Sequence, residues 1–191
     1  MSTISNPNLE VIDTALDEVK VFVPRRFGDD RGFFCESHNR EALAQLGFDI
    51  EFVQDNHAFS KLPYTMRGIH YQTGEHVQDK FVRVVTGRAL DIAVDLRQGS
   101  ATFGKVACAE LTSERGECIL VPKGFGHGIL TLEADTHICY KSSACYSPQS
   151  EQGIVYNDPA LGVDWGVGHE QVQLSPRDAA LPLLSEQTIL L

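Results

Sequence analysis

Two histidines stand where strand and turn signals meet. Gly116, five residues, Pro122, one residue, Gly124, two residues and then His127 read as a turn, a short strand, a Pro-x-Gly turn and an imidazole delivered just after it. His70 lies inside Met66-Arg67-Gly68-Ile69-His70-Tyr71-Gln72, a run with strand character. An imidazole ordinarily titrates near ~6.5, so either residue suits proton transfer at neutral pH. Arg25, Arg26, Arg31, Arg67, Lys80 and Arg83 all fall in the first half of the chain. Cations gathered in this way suit a small anion such as a diphosphate, although the same residues also read as scattered surface charge. Histidines and cations together suggest acid–base chemistry on an anionic substrate.

The elements that must position these groups are mostly short strands. Val19 to Val23 alternates and is ended by Pro24; Met66 to Gln72, Lys80 to Thr86 and Arg88 to Leu96 follow, with Gly87 as the turn between the last two. Within Ala89 to Leu96, Leu90, Ile92, Val94 and Leu96 share one face while Asp91, Ala93 and Asp95 share the other. Further strands are expected at Lys105 to Leu111, Cys118 to Val121, Gly128 to Leu132, His137 to Lys141 and Gly153 to Tyr156. One helix is expected from about His38 to Leu46, capped by Ser37 or Asn39. Many short strands with turns between them and so little helix predict an all-β sandwich or barrel. The stretch from Gly166 onward differs in texture, with Pro176, Pro182 and an apolar run at Leu181 to Leu184. It reads as a C-terminal extension that packs back on the barrel, because such a run is costly to leave in water.

Length and composition fit this scheme. The 191 residues suit one domain, 1–191, with the barrel core at about 50–160 and the tail at 166–191 packed on it. A formal net charge of −10 argues against a nucleic-acid polymer as partner. No stretch approaches the ~20 apolar residues of a membrane span, and the polar Met1 to Asn8 lacks the pattern of a secretory signal. A cytoplasmic protein is expected. The five cysteines, Cys35, Cys108, Cys118, Cys139 and Cys145, are scattered without a C-x-x-C pair and read as free thiols.

The Gly116 to His127 spacing resembles the second signature of the cupin superfamily, which implies a cupin-type jelly-roll β-barrel. In the first signature that superfamily places His-x-His followed by Glu. Here His70-Tyr71-Gln72 puts Gln72 where the second histidine would stand. Glu75 and His76 are wrongly spaced to replace it, and a firm site usually needs three protein ligands, so no metal is expected.

A longer pattern is more specific. It comprises Asp30-Arg31-Gly32-Phe33-Phe34 with Glu36, Phe52-Val53-Gln54-Asp55-Asn56-His57, Met66 to Gln72, Lys80-Phe81-Val82-Arg83 and Asp91 to Arg97. It continues through Gly124-Phe125-Gly126-His127-Gly128, Tyr140-Lys141, Tyr146-Ser147-Pro148 and Asn157-Asp158-Pro159. Together these closely resemble the dTDP-4-dehydrorhamnose 3,5-epimerase family, from about Leu9 to Leu184. The resemblance implies a metal-independent, cofactor-free isomerase that inverts carbons flanking the ketone of a dTDP-linked 4-keto-6-deoxyhexose. It implies His70 as the base, oriented by Asp178, Tyr140 as the acid on the far side of the ring, and Lys80 near the enolate oxygen. Arg67 and His127 match groups that hold diphosphate and sugar; Arg31, Glu36, Gln54, Asn56 and Tyr146 match positions that grip the nucleotide. A homodimer is implied, since some nucleotide contacts in the family cross from a second subunit.

Met66, Ile69 and Phe81 replace the family's common Leu or Val, conservative changes away from the chemistry. The family commonly reads Ala-His-Gly-Phe where this chain has Gly126-His127-Gly128-Ile129, which bears on the sugar pocket and on which carbons are inverted. Open alternatives are therefore a 3- or 5-monoepimerase on a related nucleotide sugar, a metal-dependent cupin enzyme, and a non-catalytic sugar-nucleotide-binding cupin.

Overall fold

The computed structural model describes residues 6–188 and 191; residues 1–5, part of the segment read above for a signal, lie outside the described residues. Two antiparallel sheets face each other. The larger runs, in spatial order, β1 (Leu9–Asp13), β2 (Lys20–Pro24), β10 (Cys118–Val121), β7 (Lys80–Thr86), β12 (Thr136–Ser142) and β5 (Gln54–Ser60). The smaller runs β13 (Glu151–Gly153), β6 (Met66–Gln72), β11 (Phe125–Thr131), β8 (Arg88–Asp95) and β9 (Val106–Thr112). The crossovers between the sheets are those of a jelly-roll barrel, the all-β fold expected from the strand spacing. A separate hairpin, β3 (Phe27–Asp29) and β4 (Gly32–Phe34), stands on its own.

Between the sheets lies a core of small and β-branched residues from both walls, among them Val21, Val82, Val84, Ala93, Leu111, Ile119 and Ile138. Outside the larger sheet, helix α1 (Arg40–Gln45) covers Phe22, Phe81 and Leu120 through Leu43. Its cap is Asn39, whose side chain accepts the Ala42 N–H at 3.1 Å, a contact that contributes about 1 kcal/mol to a helix.

The outer face of the smaller sheet is also buried. Met66, Ile69, Ile92, Val94 and Leu96 pack against Trp165, Val167, Val172 and Leu174 of the C-terminal segment. Backbone bonds fasten that segment: Met66 N–H donates to Gln173 O at 2.9 Å and Val155 N–H to Pro182 O at 2.9 Å. Burial on this side explains the alternation in β8. Its apolar set turns outward to the tail, while Ala89 and Ala93, and with them Asp91, turn toward the other sheet. The tail ends in helix α2 (Pro176–Ala179), started by Ser175, whose Oγ accepts the Asp178 N–H at 3.0 Å.

One glycine in β6 is required by the fold. Gly68 has φ +110°, and a Cβ there would meet His127 O at 2.5 Å and Gly128 Cα at 3.0 Å, both backbone atoms that cannot swing aside. Gly68→Ala is therefore expected to cost roughly 3 kcal/mol, or about 6–12 °C in melting temperature for a chain of this size. A thermal melt within about 2 °C of the parent would refute this reading.

Candidate active site

Strand register sets the site. In β6 and β11, His70 and His127 are direct cross-strand partners, so both imidazoles stand side by side on the smaller sheet. On the larger sheet Lys80 pairs with Ser142 and Val82 with Tyr140, which makes Lys80 and Tyr140 diagonal neighbours across β7 and β12. The two pairs face each other over a cavity of about 200 Å³ lined also by Arg67, Asp178, Ala58, Ile129 and Ile138.

Helix α2 brings Asp178 to the cavity from far along the chain. Its Oδ1 lies 2.7 Å from His70 Nε2, a hydrogen-bond distance although the donor is not well aligned. Burial pushes the Asp178 carboxyl up, but His70, the Ser175 hydroxyl and the Gly68 N–H outweigh it and hold it below the usual carboxylate range. The group is thus an anion at neutral pH, suited to fixing an imidazole tautomer.

The Lys80 amino group is buried, and desolvation drops its pKa to about 8 even though Asp91 and Glu151 oppose the shift. Burial pushes the Tyr140 phenol up, with Arg67 pulling the other way, so it stays protonated at neutral pH. Its hydroxyl has no hydrogen-bond partner among the described residues, and is free to donate into the cavity. Arg67 is anchored by one nitrogen, which donates to Phe59 O at 2.9 Å.

The nucleotide candidates divide. Gln54, Asn56 and Tyr146 form one network: the Tyr146 N–H donates to Gln54 Oε1 at 2.9 Å, and Gln54 Nε2 donates to Asn56 Oδ1 at 2.7 Å. The Tyr146 hydroxyl donates to Glu151 Oε2 at 2.5 Å. Glu36 lies apart, bordering a hollow beside α1 and accepting from Asn39 Nδ2 at 3.2 Å. Arg31 is farther still, on the β3–β4 hairpin, 2.5 Å from Asp29 and 89% exposed. The cations clustered in sequence are likewise dispersed. Only Arg67 and Lys80 reach the cavity, while Arg26 lies 4.0 Å over the Phe33 ring and donates to Ser113 O at 2.7 Å.

Three groups of the site escaped sequence reasoning. Asp91 is fully buried and accepts from His127 Nε2 at 2.9 Å. Glu151 lies 3.9 Å from His70 Nδ1, and Arg177 donates to its Oε2 at 2.6 Å. The alternation in β8 put Asp91 on a polar face, a usable signal; nothing local marked Glu151 or Arg177. Gln72 is consumed by the backbone, donating to His76 O at 2.9 Å and accepting from Ser147 N–H at 2.6 Å. Among the described residues no cluster of three or more His, Cys, Asp or Glu side chains is placed to hold a metal ion.

The family model described as dTDP-4-dehydrorhamnose 3,5-epimerase matches residues 13–186. This chain belongs to that family. It is 43% identical over 177 residues to the Salmonella typhimurium dTDP-4-dehydrorhamnose 3,5-epimerase, covering 92% of this chain and 96% of the relative. The crystal structure of a Legionella pneumophila 3,5-epimerase in complex with dTDP-4-keto-L-rhamnose superposes with a TM-score of 0.89 at 43% identity, covering 93% of this chain and 94% of that one. A Streptomyces niveus dTDP-4-dehydrorhamnose 3-epimerase is also similar, 33% identical over 172 residues, covering 90% of this chain and 82% of the relative. The epimerase is thus an isomerase on a cupin-like jelly roll, and among its described residues no helix is long and apolar enough to cross a membrane.

Proposed function

We propose that this epimerase inverts C3 and C5 of dTDP-4-dehydro-6-deoxy-D-glucose to give dTDP-4-dehydro-L-rhamnose. The observation that carries the reading is His70, with Asp178 at 2.7 Å, on one wall of a cavity whose other wall bears Tyr140. His70 takes the proton α to the C4 ketone, and the C–H electron pair moves to form a carbon–carbon double bond as the carbonyl electrons move to oxygen. Lys80, as ammonium, stabilises that enolate oxygen. Tyr140 then gives its proton to the same carbon from the opposite face, inverting it, while His70 releases its proton and Tyr140 regains one from water. Inversion changes no oxidation state, so proton transfers at each carbon suffice without metal or cofactor.

In this reading Arg67 and His127 hold diphosphate and sugar. Gln54 and Asn56 pair with the thymine edge, and Tyr146 stacks on the base. Arg31 and Glu36 serve the nucleotide of a second subunit in a homodimer. Support for the dimer comes from the hairpin, whose Phe27, Phe33 and Phe34 are 46%, 57% and 66% exposed, apolar surface that a second copy would cover. The five free cysteines fit a reducing cytoplasm.

Lys80 sets an expected pH dependence. Below about 8 it is the ammonium required for the enolate; above that it is a neutral amine. Turnover should therefore decline by about tenfold per pH unit above that point, read from kcat over pH 6 to 10. A flat profile to pH 10 would remove Lys80 from this role.

Proton NMR of the protein with dTDP-4-dehydro-6-deoxyglucose in deuterated water tests the function. Deuterium at both C3 and C5 is expected. Label at one carbon would make the protein a monoepimerase, a reading favoured by one observation: Ile129, standing where the family commonly has an aromatic, lines the cavity. No label at all would sink the assignment for this sugar.

A further inference from the structure

Asp91 is a carboxylate with no exposure to water, on a barrel wall whose neighbouring inward residues, Ala89 and Ala93, belong to the apolar core. A charge in such a place is expensive to bury, and truncation to a small apolar residue would suit the packing better. Its two oxygens differ. Oδ2 accepts from His127 Nε2 at 2.9 Å, whereas Oδ1 has no hydrogen-bond partner among the described residues. The charged and titratable groups acting on it come from two strands, His127 on β11 and Lys80 on β7; Glu151 acts on Lys80 from β13. His127 and Lys80 both line the catalytic cavity, and Asp91 does not.

We propose that Asp91 is a positioning residue of the active site, which clamps the His127 imidazole by its Nε2–H and acts as the buried counter-charge of Lys80. A carboxylate can only accept, so the bond commits the His127 proton to Nε2 and leaves Nδ1 as the unprotonated nitrogen of the neutral ring. The same negative charge opposes the loss of the Lys80 proton in a water-poor site. Burial in turn pushes the Asp91 carboxyl up, with His127 and Lys80 opposing the shift. The inference rests on the proposed function for the meaning of turnover, but its geometry does not depend on it.

Asp91→Asn keeps the size and one acceptor and removes the charge. With dTDP-4-dehydro-6-deoxyglucose, kcat is expected to fall about 10- to 100-fold while KM changes less than about threefold, since one oriented donor is weakened and binding is largely kept. The alkaline limb of kcat should move down by about one pH unit. The melting temperature should fall, because Lys80 is left without its buried counter-charge. Unchanged kcat and pH limb would overturn the proposal, and so would a loss of activity with the alkaline limb left in place, which marks a merely structural residue. Imidazole ¹⁵N shifts of histidine-labelled wild-type protein give a second reading free of any variant. Neutral His127 protonated on Nε2 is expected, and the Nδ1–H tautomer would refute the clamp. Wild-type protein without turnover would defeat the proposed function while leaving that tautomer measurement valid.

Discussion

His70→Ala should cut inversion of dTDP-4-dehydro-6-deoxyglucose by about 10⁴-fold, the upper range for loss of a positioned general base, while binding of the sugar nucleotide persists. The argument is local. Both cavity histidines have a carboxylate beside Nε2, Asp178 at 2.7 Å from His70 and Asp91 at 2.9 Å from His127. That arrangement commits a proton to that side and leaves the other nitrogen as base. His70 is the more exposed of the two side chains, at 25% against 10%. Arg67, Lys80 and His127 remain on the same cavity, and Gln54, Asn56 and Tyr146 remain bonded to one another, so the groups proposed to hold the substrate survive the truncation. The side chain is a quarter exposed at 25%, so the variant should fold. Calorimetric titration with dTDP beside the deuterium-incorporation assay separates the two effects. Binding lost in step with turnover would show that His70 holds the substrate, and would count against it as the base.

Tyr140→Phe should uncouple exchange from inversion. Without a donor on the far face, the enolate formed by His70 can be reprotonated only from the side that lost the proton. In deuterated water the substrate should therefore acquire label with retained configuration, while net inversion falls about 10²- to 10³-fold. The substitution removes a hydroxyl that has no partner among the described residues and leaves the ring, so little change in stability is expected. Burial holds the phenol in its protonated form at neutral pH, which a proton donor needs. Inversion at the parent rate would sink this role. Loss of exchange together with inversion would instead place Tyr140 in substrate binding.

Both expectations depend on groups that the chain presents far apart in sequence. Strands rich in apolar residues were readable: Met66–Gln72, Lys80–Thr86 and Cys118–Val121 form with the bounds expected for them. Gln54–Ser60 was not readable, because its inward residues face the polar site and its outward ones, His57 and Phe59, lie in the open, leaving no apolar stripe. The β3–β4 hairpin is exposed on both faces and carries no periodic signal for the same reason. Glu151 follows a turn in a stretch of polar residues, where nothing distinguishes a site carboxylate from a solvated one.

By itself the sequence determined the all-β class, the turn that delivers His127, the family to which the chain belongs, and the residue types of an acid–base site. Those follow from local chemistry: period-two alternation, Pro and Gly at turns, and side chains that titrate or carry charge in a matching pattern. Only the tertiary structure decided which of these residues meet. It put His70 beside His127 through strand register, turned Asp91 inward because the tail covers the opposite face of β8, and carried Asp178 to His70 on α2. It also sent Arg31 and Glu36 away from the cavity. Contacts between residues a hundred positions apart depend on how two sheets and a tail pack to bury apolar surface, and no window of sequence contains that balance.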